Sequence, residues 1–207
     1  MDRTITVTGE GAASARPDVV VVGLEISETS ENVTTALARV HDHLGTLGDV
    51  LRGFGVRDAD LRTTGSSLNP AWDPQGGRQI GHTATHGLSV VLRDEQHLNQ
   101  VLSGCAEAVG NALNINRISL EVADPTPLRA QAREAAFAAA LAKAEQLAGL
   151  AGATLGPAVT IAEPSAGGAL PMARDMVMAG AFKESGPGFE AGENTETAAL
   201  VVTFALD

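Results

Sequence analysis

Five histidines and one cysteine are the residues of this sequence best suited to metal binding, proton transfer or nucleophilic attack. His41 and His43 are two positions apart on a predicted helix, where a turn of ~100° per residue directs them to nearly opposite sides. His82 and His86 are four apart on a predicted strand, which separates them by about 13 Å, too far to share an ion. His97 stands alone. A metal site would need a ligand from elsewhere in the chain or from another subunit. We therefore predict that the histidines lie on the surface or on a sheet face and that they bind no metal.

Cys105 lies in the segment LNQVLSGCAEAV, on the apolar face of a predicted helix. A single cysteine excludes an intramolecular disulfide and a structural zinc site of the multi-cysteine kind. No basic residue is near in sequence to lower the thiol pKa, so a small buried hydrophobic side chain is the favoured interpretation. A reactive thiol is the alternative.

The motif Gly9-Glu10-Gly11 resembles the start of a dinucleotide-binding loop, but that fingerprint needs a third glycine and a following helix. Here position 14 is Ser14 and a strand follows, so we predict a turn or a bulge. The sequence contains no GxxxxGK[ST], GxSxG or HExxH motif. We therefore predict no catalytic residue and no cofactor site.

Several acidic residues lie near predicted element ends, where helix caps and turns explain them without chemistry. They are Asp58, Asp60, Asp73, Asp94 and Asp124. A hydrolase or redox enzyme that uses His82, His86 or Cys105 remains an alternative.

The composition limits the partners of the chain. Its 207 residues include 14 basic and 25 acidic side chains, a net charge of −11, which argues against nucleic acid and anionic membranes. No apolar run reaches the ~18 residues of a spanning helix. The N-terminal segment MDRTITVTGEG is not a signal peptide, so we expect a soluble, cytoplasmic protein. A periplasmic or secreted chain whose signal had been removed would look the same.

Hydrophobic periodicity predicts three helices. The first runs over 31–53 with Ser30 as its N-cap. The second runs over 95–109 with Asp94 as its cap. The third is alanine-rich, with Thr126 as its cap and Pro127 as its first residue. In the first helix an apolar stripe comprises Val33, Leu37, Val40, Leu44, Leu47 and Leu51.

Alternating and β-branched segments predict seven strands, in the chain order ββαββαβαββ. Gly9, Gly11 and Pro17 separate the first two strands, and NPAWDPQGGRQ is the predicted tip of a hairpin. The later strands are predicted over 60–68, 82–92, 113–122, 158–162 and 197–206.

The order of these elements predicts an α+β fold with a mixed or antiparallel sheet. Residues 19–122 form a ferredoxin-like βαββαβ core. The long alanine-rich helix and the terminal strands, from 1–18 with 123–207, extend or pair with that sheet. The chain is expected to be a single domain with these two regions as subdomains.

The segment 164–193 is longer than ordinary connections and carries apolar side chains. These are Met172, Met176, Val177, Met178 and Phe182. Methionine side chains adapt readily to different partners, which predicts a contact surface for another subunit or a ligand. A surface loop without function is the alternative.

The sequence also resembles the SIMPL-domain family, which includes bacterial periplasmic immunogenic proteins. The resemblance lies in the order and spacing of seven segments along nearly the whole chain. They are ITVTGEG, ARPDVV, GVRDADLRTTGSSLNPAW, GHTATHGLSVVLRD, AREAAFAAALAKAEQLAGLAGATLG, VTIAE and EAGENTETAALVVTFAL. The resemblance implies an α+β fold and, in some members, ring-like or barrel-like homo-oligomers. It implies no catalytic residue. Relatives often have an aromatic residue where this chain has His82.

Two functional hypotheses follow, in addition to the enzyme alternative. The first is a non-enzymatic protein that self-assembles into homo-oligomers by burying the apolar loop and a strand edge, with a possible role in stress or at the cell envelope. The second is a binding module for a small apolar molecule or peptide, with the loop 164–193 as its lid.

Overall fold

The computed structural model describes residues 3–73, 76–93, 97–164 and 192–207. Its three helices and seven strands follow the predicted order and confirm an α+β fold. The helices are α1 (Val33–Gly53), α2 (Leu98–Val109) and α3 (Thr126–Leu150). The strands are β1 (Thr4–Ala15), β2 (Val19–Ser30), β3 (Leu61–Trp72), β4 (Gln79–Leu92), β5 (Leu113–Glu121), β6 (Leu155–Ala162) and β7 (Asn194–Leu206).

Two antiparallel sheets divide the strands, with the orders β3-β4-β2-β5 and β1-β7-β6. The first sheet lies in a compact central unit, Pro17–Ala123, and has the strand order of a ferredoxin-like βαββαβ core. The second lies in a terminal unit of Met1–Arg16 with Asp124–Asp207. The prediction that the terminal strands extend or pair with the central sheet is therefore wrong. Every residue of β1, from Thr4 to Ala15, pairs with a residue of β7.

The core of the central unit lies between its sheet and the helices α1 and α2. Alternate residues of β2 are buried, as expected for a strand with one covered face. On α1 the prediction is wrong for Leu37, which is 46% exposed, while Ala36 is fully buried. The buried stripe is centred on Ala36, Val40, Leu47 and Leu51. The small side chain of Ala36 lets the helix lie close to the sheet.

Two helix starts differ from their predictions. Asn32 rather than Ser30 caps α1, because its Oδ1 accepts from the backbone N–H of Thr34 at 2.8 Å. Thr126 is the first residue of α3 rather than its cap. Hydrogen bonds from Thr126, whose backbone N–H lies 3.0 Å from the carboxylate of Asp124, lower the pKa of Asp124. The predicted cap Asp94 lies outside the described residues.

In the terminal unit, α3 packs on one face of the sheet through a line of small residues. Every fourth position of the helix from Ala132 to Ala148 is a fully or almost fully buried alanine. Gly9 and Gly11 face this line, and a Cβ at either position would overlap the helix backbone near Ala136. The predicted turn or bulge at these glycines is wrong, since β1 runs through them without a register shift. They permit backbone contact between strand and helix.

Asp60, at the end of a short 3₁₀ turn, is a buried carboxylate in the central unit. Arg57 donates to it at 2.6 Å and 3.1 Å. Arg93, the residue just after β4, donates at 2.9 Å and 3.4 Å. The hydrogen bonds from Arg57 and then Arg93 hold the pKa of Asp60 well below its ordinary value. The carboxylate thus joins the 3₁₀ turn to the end of β4.

Gly9→Ala should destabilise the protein, because the new Cβ must push α3 away from β1. Overpacking of this kind costs about 1–3 kcal/mol or more in the free energy of unfolding. Gly149→Ala, in α3 of the same unit, is a matched control, since no atom lies within 4 Å of its Cβ. That control should stabilise by up to ~1 kcal/mol through helix propensity. Urea unfolding measures both, and equal midpoints would contradict the close contact.

Asp60→Asn should lower the free energy of unfolding at neutral pH by about 1–3 kcal/mol, since hydrogen bonds to a charged group are lost. The folded-state pKa of Asp60 lies below the unfolded value of 3.8, so the carboxylate stabilises the fold above that pH. The contribution falls as pH drops through the folded pKa, and the two proteins should converge in acid. Asp49→Asn, which removes an exposed partner of Arg52, is the control and should change little. A constant difference between pH 7 and pH 2 would refute the assignment.

Candidate functional site

The histidines of α1 do not converge on a common site. The Nε2 of His43 lies 3.1 Å from Oε1 of Glu28 on β2. Arg39 lies 3.7 Å from the other oxygen of the same carboxylate. His41 is exposed on the helix surface. The carboxylate next to His43 is thus shared with an arginine, an arrangement that stabilises an ion pair rather than a bound cation.

His82 and His86 lie on β4, opposite Ser30 and Ile26 of β2. The Nε2 of His86 is 3.2 Å from the hydroxyl of Thr63, and the Nε2 of His82 is 3.3 Å from the amide nitrogen of Gln79. The Nδ1 of His82 is buried and has no hydrogen-bond partner within the described ranges. Those ranges contain no group of three or more His, Cys, Asp or Glu side chains placed to hold a metal ion.

Cys105 is fully buried on α2, within the core of the central unit. Burial raises the pKa of its thiol to about 11, so the group is protonated at neutral pH. Burial is the only cause of this shift, and no charged or hydrogen-bonding neighbour in the described residues contributes to it. Cys105 therefore packs as a small apolar side chain, and the arrangement does not support nucleophilic chemistry.

An apolar groove lies in the terminal unit between α3 and β6. It has a volume of about 710 Å³. Phe137 and Leu141 of α3 form one wall, Ile161 of β6 forms the other, and Leu200 of β7 lies on its lining as well. The groove exists because α3 contacts β1 and β7 much more extensively than it contacts β6.

Charged residues lie at the rim of this groove. The Nε of Arg133 lies 3.0 Å from both carboxylate oxygens of Glu163, just after β6. Glu134, one residue further along α3, also lines the groove and is exposed. The groove is thus an apolar surface with a rim that carries an excess of negative charge.

Strand β6 exposes two large apolar side chains, of which Ile161 lines the groove. Val159 and Ile161 are each 58% exposed. In the described part of the chain β6 pairs only with β7, so its other edge has no strand partner. The alternating pattern predicts this strand but not its exposure, because the position of a strand at a sheet edge depends on non-local pairing.

The residues predicted to form a contact surface are not among those described. Met172, Met176, Val177, Met178 and Phe182 all lie between 165 and 191, a segment that the structure does not describe. The segment begins two residues after Glu163. Trp72, which the sequence did not indicate as a functional residue, belongs to β3 and is exposed there.

No helix among the described residues is both long enough and apolar enough to span a lipid bilayer. Of these helices only α1 and α3 exceed 18 residues, and α3 carries charged side chains along its exposed faces.

Comparison with known proteins gives consistent matches over most of the chain. The 26 kDa periplasmic immunogenic protein of Brucella melitensis is 28% identical over 215 residues, covering 98% of this chain and 84% of the Brucella protein. The protein YggE of Escherichia coli K12 is 27% identical over 159 residues, 76% of this chain and 64% of YggE. YggE of Edwardsiella ictaluri is 28% identical over 160 residues. The profile of the SIMPL family, described as a protein of unknown function (DUF541), matches residues 5–204, and the chain belongs to this family.

Proposed function

We propose that this chain is a non-enzymatic subunit that assembles with copies of itself through the groove between α3 and β6. The observation that carries the proposal is the exposure of Ile161 in the apolar groove, on a strand that also exposes Val159 and whose second edge is unpaired among the described residues. Large apolar side chains that cluster at a surface favour association, because contact removes them from water. An unpaired strand edge adds backbone groups that a second chain can approach.

Side chains, rather than a long backbone ladder, would supply most of this contact. Pro157 lies in β6 and cannot donate a backbone hydrogen bond. The register of β6 against β7 also shifts on both sides of Ala158. Both features shorten the regular edge available for pairing. The apolar surface of Ile161, Phe137 and Leu141 is therefore the energetic centre of the proposed interface.

The binding of a small apolar molecule or an extended peptide is the second candidate function. The groove is apolar and open to solvent, with a volume of about 710 Å³, so such a ligand would lie along it and be only partly enclosed. The two candidates use the same surface, but only self-assembly depends on protein concentration. A ligand that binds only the folded chain would instead raise its melting temperature at fixed protein concentration.

We also propose that the chain acts in the periplasm. The Brucella relative that aligns with 98% of the chain is named a periplasmic protein. A single buried cysteine suits an oxidising compartment, because a buried thiol does not form intermolecular disulfides. Osmotic-shock fractionation of cells that carry the natural gene should release the protein with periplasmic markers. Recovery with cytosolic enzymes would refute the proposed location.

Ile161→Glu should weaken self-assembly, because it places a charge on the apolar wall beside Glu163. The loss of one buried isoleucine contact corresponds to about tenfold to a hundredfold in affinity. Light scattering on a size-exclusion column, at several micromolar concentrations, measures the mass of each protein. The wild type should be a defined oligomer, and the variant should dissociate at concentrations where the wild type does not.

Ile115→Glu is the matched control, since Ile115 is 45% exposed on β5, an edge strand of the central unit. It should assemble like the wild type. A wild type that stays monomeric at all concentrations would refute self-assembly. A monomer whose melting temperature rises with an apolar ligand, and does so less in Ile161→Glu, would favour the binding module.

A further inference from the structure

The hairpin of β3 and β4 carries a second exposed apolar surface, in the central unit. Trp72, the only tryptophan of the protein, is 57% exposed near the end of β3. Leu68 on the same strand and Ile80 on β4 are also exposed. We call this surface, made of Leu68, Trp72 and Ile80, the hairpin patch. Tryptophan is the side chain most often enriched where proteins bind one another.

The register of the hairpin explains why these side chains lie together. Leu68, Pro70 and Trp72 alternate along β3 and therefore share one face. Leu68 pairs with Ala84, which is buried in the core of the central unit. The face that carries Leu68 is therefore the face that the core covers farther along β4. Towards the tip the same face is exposed. The register shift between Ala71 and Trp72 places Trp72 opposite Gln79, next to Ile80.

The charge of the hairpin differs from that of the whole protein. The chain carries a net charge of −11, so its copies repel one another at long range. The hairpin Leu61–Leu92 holds two arginines, Arg62 and Arg78, and one aspartate, Asp73, so it lacks the acidic excess of the chain. Beside Trp72, Arg78 and Asp73 balance each other, since Arg62 lies at the far end of β3. Arg78 is exposed, and its carbonyl oxygen accepts from the backbone N–H of Asp73 at 2.9 Å. The tip therefore adds no negative charge to the contact, and its arginine suits an apolar partner surface with a negative rim.

The groove between α3 and β6 has that complementary character. Its walls are apolar, its volume of about 710 Å³ accommodates an indole ring, and its rim includes Glu134. We propose that Trp72 of one copy inserts into the groove of a second copy, with Arg78 facing Glu134. The inference rests on the proposed self-assembly and identifies the surface that fills the groove. Because the two surfaces differ, the contact is heterologous, and copies add head to tail into a ring or a filament.

The single tryptophan makes the contact directly measurable. Exposed indole emits at longer wavelength than indole in an apolar groove, and Trp72 is the only source of that emission. When the wild-type protein is concentrated from nanomolar to micromolar, the emission should shift to the blue in step with the rise in mass. In Ile161→Glu, which retains Trp72, both changes should move to higher concentration together.

Two variants that each break one side of the contact provide the decisive test. Trp72→Ala keeps the groove but loses the side chain that fills it, and Ile161→Glu keeps the hairpin but loses the groove. Each alone should lose affinity about thirtyfold, the effect of removing a hot-spot side chain. When the two variants are mixed, the groove of Trp72→Ala accepts the hairpin of Ile161→Glu. The mixture should therefore form a heterodimer that neither variant forms alone at that concentration.

Charge reversal tests the orientation of the hairpin. Arg78→Glu should weaken assembly, and Arg78→Glu combined with Glu134→Arg in the same chain should restore it. Circular dichroism and melting temperatures matched to the wild type show that each variant is folded. Recovery in the double variant would support the pairing of Arg78 with Glu134, and an additive loss would overturn it.

The outcomes separate this inference from the proposed function. If the wild type assembles while its emission stays unchanged, and Trp72→Ala assembles equally well, the hairpin does not fill the groove and self-assembly still stands. If the wild type is a monomer at every concentration, self-assembly and the inference both fail. A blue shift with mass, together with heterodimer formation by the two variants, supports both.

Discussion

The contact of two glycines with the backbone of α3 is the constraint on which the terminal unit depends. Gly9 and Gly11 leave no room for a Cβ against the helix, and the buried face of α3 is a line of alanines. Strand and helix can thus approach until their backbones touch. The helix is drawn towards β1 and β7, which leaves β6 with little cover. The groove and the exposure of Ile161 are consequences of this asymmetric packing.

Polar contacts along α3 fix the helix in that position. Lys143 donates to the carbonyl oxygen of Thr8 on β1 at 2.6 Å. Arg129 lies 3.2 Å from Glu196 on β7, and Arg133 binds Glu163 beyond β6. Each pair is exposed and contributes little on its own. Together they connect the helix to all three strands, so that the width of the groove is set on both sides.

Sequence patterns predicted the parts of this fold that depend on local periodicity. The order of helices and strands, the α+β class and the ferredoxin-like centre all follow from the spacing of apolar residues, and the structure confirms them. The errors have physical causes. Gly9 and Gly11 have the composition of a turn, but their role is set by a helix more than 120 residues away. Asn69 and Trp72 were assigned to a hairpin tip, although pairing with β4 extends β3 through both.

The proposed site could not be predicted from periodicity at all. Whether Val159, Ile161 or Trp72 is buried depends on which strands lie at a sheet edge and how far a helix covers the sheet. Both are set by long-range pairing. The hydrogen bonds to Asp60 could not be predicted for the same reason, because their donor Arg93 lies 33 positions farther along the chain. Of the predicted contact surface, the methionine segment stays a prediction, because its residues lie between 165 and 191.

The charge of the chain decides how such a contact can support assembly. Copies with a net charge of −11 repel one another, and each added copy increases that repulsion. At physiological ionic strength the repulsion extends only about 8 Å, so a contact buried within a groove is affected less than the encounter that precedes it. In the proposed contact, the charge-balanced tip of the hairpin adds no repulsion against the negative rim, and Arg78 can pair with Glu134 there. Salt should therefore screen the long-range repulsion between copies more than it weakens the contact within the groove. In the proposed assembly, one local and oriented contact would hold the copies together, while the negative charge of the remaining surface opposes unspecific aggregation.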